Sequence, residues 1–134
     1  MSDMSFGQRN YDRSRPEVDF PGETPPEELV IEELIPGTGA EVAPGDAISC
    51  HYVGVSWTTG EEFDASWNRG TPLPFTVGVG QVIQGWDQGL IGMKEGGRRK
   101  ITIPPHLGYG DQGAGNVIKG GETLIFVVDL VDVR

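Results

Sequence analysis

The chain has 134 residues and a mass of 14.4 kDa, which suits one domain with a short extension and leaves little room for a second domain. Its 21 glycines and 10 prolines argue against long helical bundles, because so many glycines would weaken every helix. The net charge of −10 repels phosphate backbones, so we expect no nucleic-acid partner.

Residues 1–28 differ in composition from the rest of the chain. They contain seven acidic and three basic side chains, and their apolar residues show no periodicity. Four prolines oppose regular strand pairing. We therefore expect a flexible acidic N-terminal arm over residues 1–28 and a folded domain over residues 29–134. The apolar residues of the arm could still pack locally, or the arm could lie on the surface of the domain.

Six later segments have the character of strands, bounded by turn residues. They are Leu29–Ile35, Ala47–Trp57, Glu62–Ser66, Thr71–Val77, Gly97–Ile103 and Thr123–Val133. Alternation in the second segment places Cys50 and Tyr52 on one face and His51 on the other. We interpret the basic run Arg98–Lys100 as a solvated strand face, with Arg99 pointing inward and either paired or snorkelling to solvent.

Apolar residues at helical spacing predict one helix over Gln81–Met93. They are Val82, Ile83, Trp86, Leu90 and Met93. Glycines inside this segment would let the backbone approach a sheet closely. The expected fold is α+β, with an antiparallel sheet of about five short strands wrapped around this one helix. The Gly-rich segment Pro104–Gly121 is predicted to be a long functional loop.

The sequence lacks the residue combinations that covalent, metal-dependent and cofactor-dependent catalysis require. Cys50 and His51 are adjacent, so on a strand they point to opposite faces and cannot pair as nucleophile and base. His51 and His106 are the only histidines, and no cluster has metal-ligand spacing, so we expect no metal ion. Gly78–Ile83 resembles the start of a dinucleotide fingerprint but lacks the later small residue and the βαβ unit, so we expect no cofactor.

The location of the protein is predicted from a few features. One cysteine allows no disulfide within the chain, which fits a reducing compartment. The longest apolar run, Leu124–Val128, has five residues and is too short to cross a membrane. The N-terminus lacks the apolar core of a secretory signal. We therefore expect a cytoplasmic monomer without a membrane partner.

Aromatic residues come from six separate segments of the predicted domain. They are Tyr52, Phe63, Phe75, Trp86, Tyr109 and Phe126. They could form an ordinary core, but tryptophan and tyrosine carry polar groups that a dry core must satisfy. Asp64 follows Phe63 inside an apolar stretch, where a carboxylate is costly unless it is bonded. An aromatic pocket with a few polar groups is typical of a ligand site.

These residues belong to an ordered series of short motifs. The series runs Tyr52-Val53-Gly54, Phe63-Asp64-Ala65-Ser66, Val82-Ile83-Gln84-Gly85-Trp86, Tyr109-Gly110 and Thr123-Leu124-Ile125-Phe126. It resembles the FKBP-type peptidyl-prolyl cis–trans isomerases, the family that binds tacrolimus and rapamycin. The resemblance covers Leu29–Arg134 and is that of a minimal, single-domain, bacterial-like member. It implies an antiparallel half β-barrel around the short helix, with a proline pocket between helix and sheet.

The resemblance also implies roles for individual residues. The implied catalytic residues are Tyr52, Asp64, Trp86, Tyr109 and Phe126. The implied substrate- and ligand-binding residues are Phe63, Arg69, Leu73, Phe75, Val82, Ile83, Ala114, Val117 and Ile118. Trp86 would form the floor, while the Tyr109 hydroxyl and the Ile83 N–H would bind carbonyls. Many members have a histidine at the position of Ala114 and a phenylalanine at that of Leu73, which affects the expected substrate preference and drug affinity.

The resemblance therefore implies an enzyme that accelerates rotation about X–Pro bonds in folding proteins. It would stabilise the twisted amide without covalent chemistry, and its partners would be proline-containing polypeptides and macrolides. Two alternatives remain at this point. One is a module that binds a proline peptide or a partner with little turnover. The other is a plain β-domain with an aromatic core, which would bind no macrolide.

Overall fold

The computed structural model describes residues 15–18 and 24–134. Within these ranges there are six strands and one α-helix. The strands are β1 (Val30–Ile35), β2 (Ala47–Ser56), β3 (Glu62–Ala65), β4 (Leu73–Thr76), β5 (Arg98–Ile103) and β6 (Leu124–Val133). The helix is α1 (Gln84–Gly89), and short 3-10 helices cover Ser66–Asn68 and Pro105–Leu107. All six predicted segments form strands, so the sheet has one strand more than the five or so expected.

The strands form one open antiparallel sheet in the order β1-β5-β6-β2-β3. The long strand β2 pairs with β6 along one side. Along its other side it pairs first with β4, over Ala47–Cys50, and then with β3, over Val53–Val55. The expected α+β architecture, an antiparallel half-barrel with one short helix, is therefore confirmed.

The helix is shorter than the predicted Gln81–Met93 and spans only Gln84–Gly89. It starts at Gln84 because Ile83 has extended backbone (ψ 153°). The Asp87 carboxylate accepts hydrogen bonds from the N–H groups of Gly78 and Gly80, at 2.8 and 2.9 Å, and so holds the preceding loop against the helix. It is not extended at the other end, where Gly92 adopts a φ of 83°. The predicted apolar stripe nevertheless faces the core, so the predicted buried face is confirmed and the predicted length of the helix is wrong.

Helix α1 lies close against β5 because its contact positions are glycines. A Cβ built at Gly85 would lie 2.6 Å from the Ile103 side chain, and one at Gly89 would lie 3.1 Å from Ile101. The predicted close approach of this helix to the sheet is confirmed, and any side chain at Gly85 would push the two elements apart.

Apolar side chains pack on both faces of the sheet. The larger cluster fills the concave face around α1, and Cys50 and Tyr52 belong to it. The smaller one, here called the outer cluster, occupies the opposite face of β2. It consists of Val53, Val55, Ala65 and Ile125, with Val18, Trp57 and Trp67 packed against them. The predicted alternation of faces along β2 is confirmed.

The basic run on β5 is only partly as predicted. Arg99 points inward and is 8% exposed, and it pairs with Glu33 at 2.8 Å. Arg98 is not solvated as expected, since it pairs with the fully buried carboxylate of Asp129 at 3.0 Å. Antiparallel pairing places Arg98 directly opposite Asp129 on β6, which the sequence of β5 alone does not reveal.

The predicted arm over residues 1–28 falls largely outside the described residues, since residues 1–14 and 19–23 are not described. None of the helices in the described ranges is long and apolar enough to cross a membrane.

Candidate functional site

A cavity of about 170 Å³ opens between α1, the concave face of the sheet and the loops at one end. Its lining residues are Tyr52, Phe63, Asp64, Leu73, Gln81, Val82, Ile83, Trp86, Tyr109 and Phe126. Nine of these ten were singled out from the sequence. The exception is Gln81, whose side-chain oxygen accepts the Thr76 N–H at 2.8 Å and so ties β4 to the entrance of the helix. The sequence offered one indication that Gln81 lines the cavity, namely that it directly precedes Val82.

The floor of the cavity is a set of aromatic rings at steep angles to one another. The Trp86 ring meets those of Tyr52 and Phe126 at centroid distances of 5.1 and 5.2 Å, with interplanar angles of 83° and 88°. Phe63 meets Phe126 in the same edge-to-face manner at 5.5 Å. Trp86 is 3% exposed, and its indole nitrogen is covered and has no hydrogen-bond partner among the described residues. The floor therefore presents apolar ring surface to a ligand.

One side of the rim carries a closed polar triad. The Tyr52 hydroxyl donates to Asp64 Oδ2 at 2.5 Å, and Arg69 donates both to the Tyr52 oxygen, at 2.8 Å, and to Asp64 Oδ1, at 3.0 Å. Burial, and next the bond to the Asp64 carboxylate, raise the pKa of Tyr52, so this phenol stays protonated. The hydrogen bonds of Arg69 to the Tyr52 oxygen, and next to Asp64, raise the pKa of Arg69. Asp64 is held at the rim with its side chain 44% exposed, which explains how an apolar stretch tolerates it.

Two further residues that line the cavity carry hydrogen-bond donors. Tyr109 is 40% exposed, and burial of part of its ring, with the Asp64 charge, raises the pKa of its hydroxyl. Ile83 has extended backbone (φ −60°, ψ 153°) immediately before α1. Its N–H has no acceptor within the described part of the chain. The site can therefore offer two neutral donors to carbonyl groups above an apolar floor.

Five of the residues implied by the resemblance lie outside the cavity lining. Phe75 packs behind Trp86 at 5.5 Å, and Arg69 reaches the cavity only through Tyr52 and Asp64. The other three belong to the loop over 104–121. Ala114 and Ile118 pair with each other there, with the Ala114 N–H bonded to the Ile118 carbonyl at 2.7 Å. Val117 is 63% exposed and lines a neighbouring cleft beside Phe63.

Reactive side chains are placed away from this cavity. Cys50 is fully buried, and burial raises the pKa of its thiol, which makes it a poor nucleophile. His51 lies on the opposite face, where it bonds to the Ser66 hydroxyl at 2.8 Å and stacks on Trp67 at 4.3 Å. No group of three or more potential metal ligands occurs among residues 15–18 and 24–134. What the cavity can do chemically is bind and orient.

Known proteins resemble this chain over most of its length. The sequence pattern of the family described as FKBP-type peptidyl-prolyl cis-trans isomerase matches residues 39–131. An FK506-binding protein of Streptomyces anulatus is 62% identical over 120 residues, which cover 89% of this chain and 97% of that protein. This coverage exceeds what residues 29–134 could supply, so the match reaches into the first 28 residues.

Two further likenesses agree with this one. An FK506-binding protein of Neisseria meningitidis serogroup A is 54% identical over 106 residues, which cover 78% of this chain and 95% of that protein. The crystal structure of AtFKBP13 superimposes with a TM-score of 0.73 at 39% identity, covering 79% of this chain and 93% of that one.

Proposed function

Because this chain belongs to the FKBP-type peptidyl-prolyl cis–trans isomerases, and so accelerates rotation about the peptide bond before proline, we propose that the proline ring of its substrate lies on Trp86 in the cavity described above. The observation that carries the proposal is the contrast between floor and rim. The floor is aromatic and the rim holds the Asp64 carboxylate and two free donors. An apolar ring flanked by two peptide groups fits this arrangement.

The mechanism needs no reactive side chain. Rotation about an X–Pro bond has an activation energy of roughly 20 kcal/mol, and no bond breaks and no proton moves. The planar amide is stabilised by resonance, which separates charge between oxygen and nitrogen, and the twisted amide loses this charge separation. An apolar cavity therefore favours the twisted state over either planar isomer. Catalysis follows from binding that state more tightly.

Rotation also requires that the peptide be held on both sides of the twisting bond. The Ile83 N–H and the Tyr109 hydroxyl act as donors to two carbonyl groups of the peptide. Both raised phenol pKa values keep the hydroxyls of Tyr52 and Tyr109 protonated throughout the neutral range. Asp64, fixed by Arg69, orients the substrate at the rim. A 10⁴-fold acceleration needs roughly 5–6 kcal/mol of preferential binding of the twisted state.

The same cavity is proposed to bind tacrolimus and rapamycin. The support is that relatives covering most of this chain are named for binding FK506, which is tacrolimus. Val82 and Phe126 would supply apolar wall, with Phe75 supporting Trp86 from behind. Ala114, Val117 and Ile118, which lie outside the cavity lining, would contact only a ligand that extends onto the loop above. Leu73 and Ala114 give this rim smaller side chains than many members have, and the affinity for each drug depends on them.

The test is isomerisation of a short X–Pro peptide, with and without tacrolimus, for the wild type, Asp64→Ala and Asp132→Ala. Asp132 is the matched control, because it is a partly exposed aspartate whose ion pair, as far as the structure describes the chain, is with Arg134 at the C-terminal end of β6. We expect inhibition of the wild type by tacrolimus. We expect kcat/KM to fall roughly tenfold in Asp64→Ala, which is about 1.4 kcal/mol of transition-state stabilisation, and to stay unchanged in the control. An unchanged kcat/KM in a folded Asp64→Ala protein would remove Asp64 from the site.

We also propose that the protein is a cytoplasmic monomer. The net charge of −10 opposes self-association. Strand β1, at the edge of the sheet as far as it is described, carries the exposed side chain of Glu32, and charge on an edge discourages pairing with a second sheet. The buried free thiol of Cys50 is compatible with a reducing compartment. Sedimentation equilibrium should return a mass near 14.4 kDa, and a mass twice as large would contradict the monomer.

A further inference from the structure

We propose that residues 15–18, here called the N-terminal segment, belong to the folded enzyme and position the rim of the proline pocket through Arg15. The inference rests on the proposed function in one respect, namely that the rim pair Asp64 and Arg69 belongs to the substrate site. It departs from the boundary at residue 29 that composition alone indicates.

The first observation is a closed network of polar side chains made by Arg15. Its Nη1 donates to Asn68 Oδ1 at 2.8 Å, and its Nη2 forms an ion pair with the Glu62 carboxylate. Asn68 in turn donates to Glu62 Oε2 at 3.0 Å. Each of the three side chains contacts the other two, which gives the network a more defined geometry than an isolated surface pair has.

The second observation is where this network lies. Glu62 begins β3, two residues before Asp64, and Asn68 ends the 3-10 helix, one residue before Arg69. Arg15 therefore joins the two pieces of backbone that carry the two members of the rim pair. A shift of either piece would alter the bonds among Asp64, Arg69 and the Tyr52 hydroxyl.

Beyond its bonds to the Tyr52 hydroxyl, the geometry of the rim pair depends on how the two backbone segments that carry it are held. The side chains of Asp64 and Arg69 are 44% and 49% exposed, so water competes for their charges and the pair itself stabilises little. Strand β3 has four residues and, among the described residues, pairs with β2 alone, and the register of this pairing shifts between Gly54 and Val55 of β2. A short edge strand with an irregular ladder has few bonds that hold it in place.

The third observation is an apolar anchor on the same segment. Val18 is half-buried and packs against the outer cluster, where Trp57 and Trp67 also lie. Trp67 is in the 3-10 helix that Arg15 contacts through Asn68. The segment thus binds the domain by one apolar and one charged contact on neighbouring parts of its surface. The match to the Streptomyces relative extends before residue 29, so that protein also has residues N-terminal to the domain.

The experiment measures kcat and KM for an X–Pro peptide with the full-length chain and four variants. These are Arg15→Ala, Arg15→Lys, the control Glu17→Ala on an exposed residue of the same segment, and Val18→Ser. We expect Arg15→Ala and Val18→Ser to lower kcat/KM two- to fivefold, a change of the size expected for loss of a partly exposed network. Glu17→Ala should match the wild type, and Arg15→Lys should recover part of the loss.

A double-mutant cycle separates positioning from general stabilisation. If Arg15 acts through the rim pair, Arg15→Ala should change kcat/KM no further in an Asp64→Ala background. An equal loss in both backgrounds, or no loss from Arg15→Ala in the wild type, would overturn the proposal. The failure of the proposed function has a different signature, because Asp64→Ala alone would then leave kcat/KM unchanged.

Discussion

Cys50 and His51 are neighbours in the chain, yet they lie on opposite faces of the sheet and in different environments. For His51, burial lowers the pKa from its usual 6.5, Asp129 opposes this shift and Arg69 adds to it. The buried ring is therefore neutral near neutral pH and bonded to Ser66. Its contribution to stability depends on its staying uncharged.

We expect acid to weaken the fold through His51. Because its pKa is lower in the folded than in the unfolded protein, its contribution is complete above pH 6.5 and is lost as the pH falls through the folded value. Urea unfolding at about pH 7.5 and about pH 5 should show a smaller pH dependence of the unfolding free energy in His51→Gln than in the wild type. Equal slopes in the two proteins would show that this histidine does not contribute.

Individual residues of the site differ in how well the sequence reveals them. The aromatic floor was predictable, because a tryptophan, a tyrosine and phenylalanines from separate segments have few other places to pack. The position of Val117 was not, because its side chain faces a neighbouring cleft and only the path of the loop decides this. The contact of Arg15 with Glu62 was also not predictable, because the two residues are distant in sequence and no motif links them.

At the scale of elements, α1 shows where local preference and packing disagree. Gly85 lies inside the helix, where alanine is favoured over glycine by about 1 kcal/mol. A Cβ at Gly85 would, however, lie 2.6 Å from Ile103, whereas one at Gly89 would lie 3.1 Å from Ile101. Overpacking of this kind typically costs about 1–3 kcal/mol, so the clash outweighs the gain in propensity.

We therefore expect Gly85→Ala to lower the free energy of unfolding and kcat/KM together, since the displaced helix carries Trp86. Gly89→Ala is the matched control and should be clearly milder. Chemical denaturation of both variants tests this. A Gly85→Ala protein as stable as Gly89→Ala would mean that helix and sheet separate at little cost.

The same helix explains why its length was not predictable. Periodicity reports which residues face the core, and on that point the sequence was sufficient. The helix begins at Gln84 because Ile83 has extended backbone, and the Asp87 carboxylate binds the backbone of Gly78 and Gly80 in the preceding loop. These bonds fix the loop before the helix, and the periodic pattern of apolar residues does not reveal them.

At the scale of the whole molecule, one side chain connects three parts of the fold. Arg99 on β5 pairs with Glu33 on β1 at 2.8 Å. It also donates to the carbonyls of Gly89, the last residue of α1, and of Ile91, at 2.9 and 3.0 Å. Within residues 15–18 and 24–134, neither carbonyl accepts another hydrogen bond from the backbone, so both would lose their donor with Arg99. The sheet edge and the end of α1 are thus joined through a single buried cation.

We expect Arg99→Leu to reduce the free energy of unfolding by about 2–4 kcal/mol, because it leaves two carbonyls without this donor. The neighbouring Lys100→Gln is the control. Lys100 approaches Glu32 only to 4.0 Å on the surface, so its loss should cost less than about 0.5 kcal/mol. Thermal and urea unfolding of the two variants provide the comparison, and equal losses would contradict a special role for Arg99.

The three tryptophans lie on two different faces of the sheet, so their fluorescence reports on two different parts of the molecule. Trp86 lies beneath the proline pocket, while Trp57 and Trp67 pack on the other face of the sheet, where Val18 also lies. Emission from Trp86 should therefore follow occupancy of the pocket, and emission from the other two should follow attachment of the N-terminal segment. Replacing Trp57 and Trp67 by phenylalanine would leave one emitter, so that pocket filling could be followed in real time without a label.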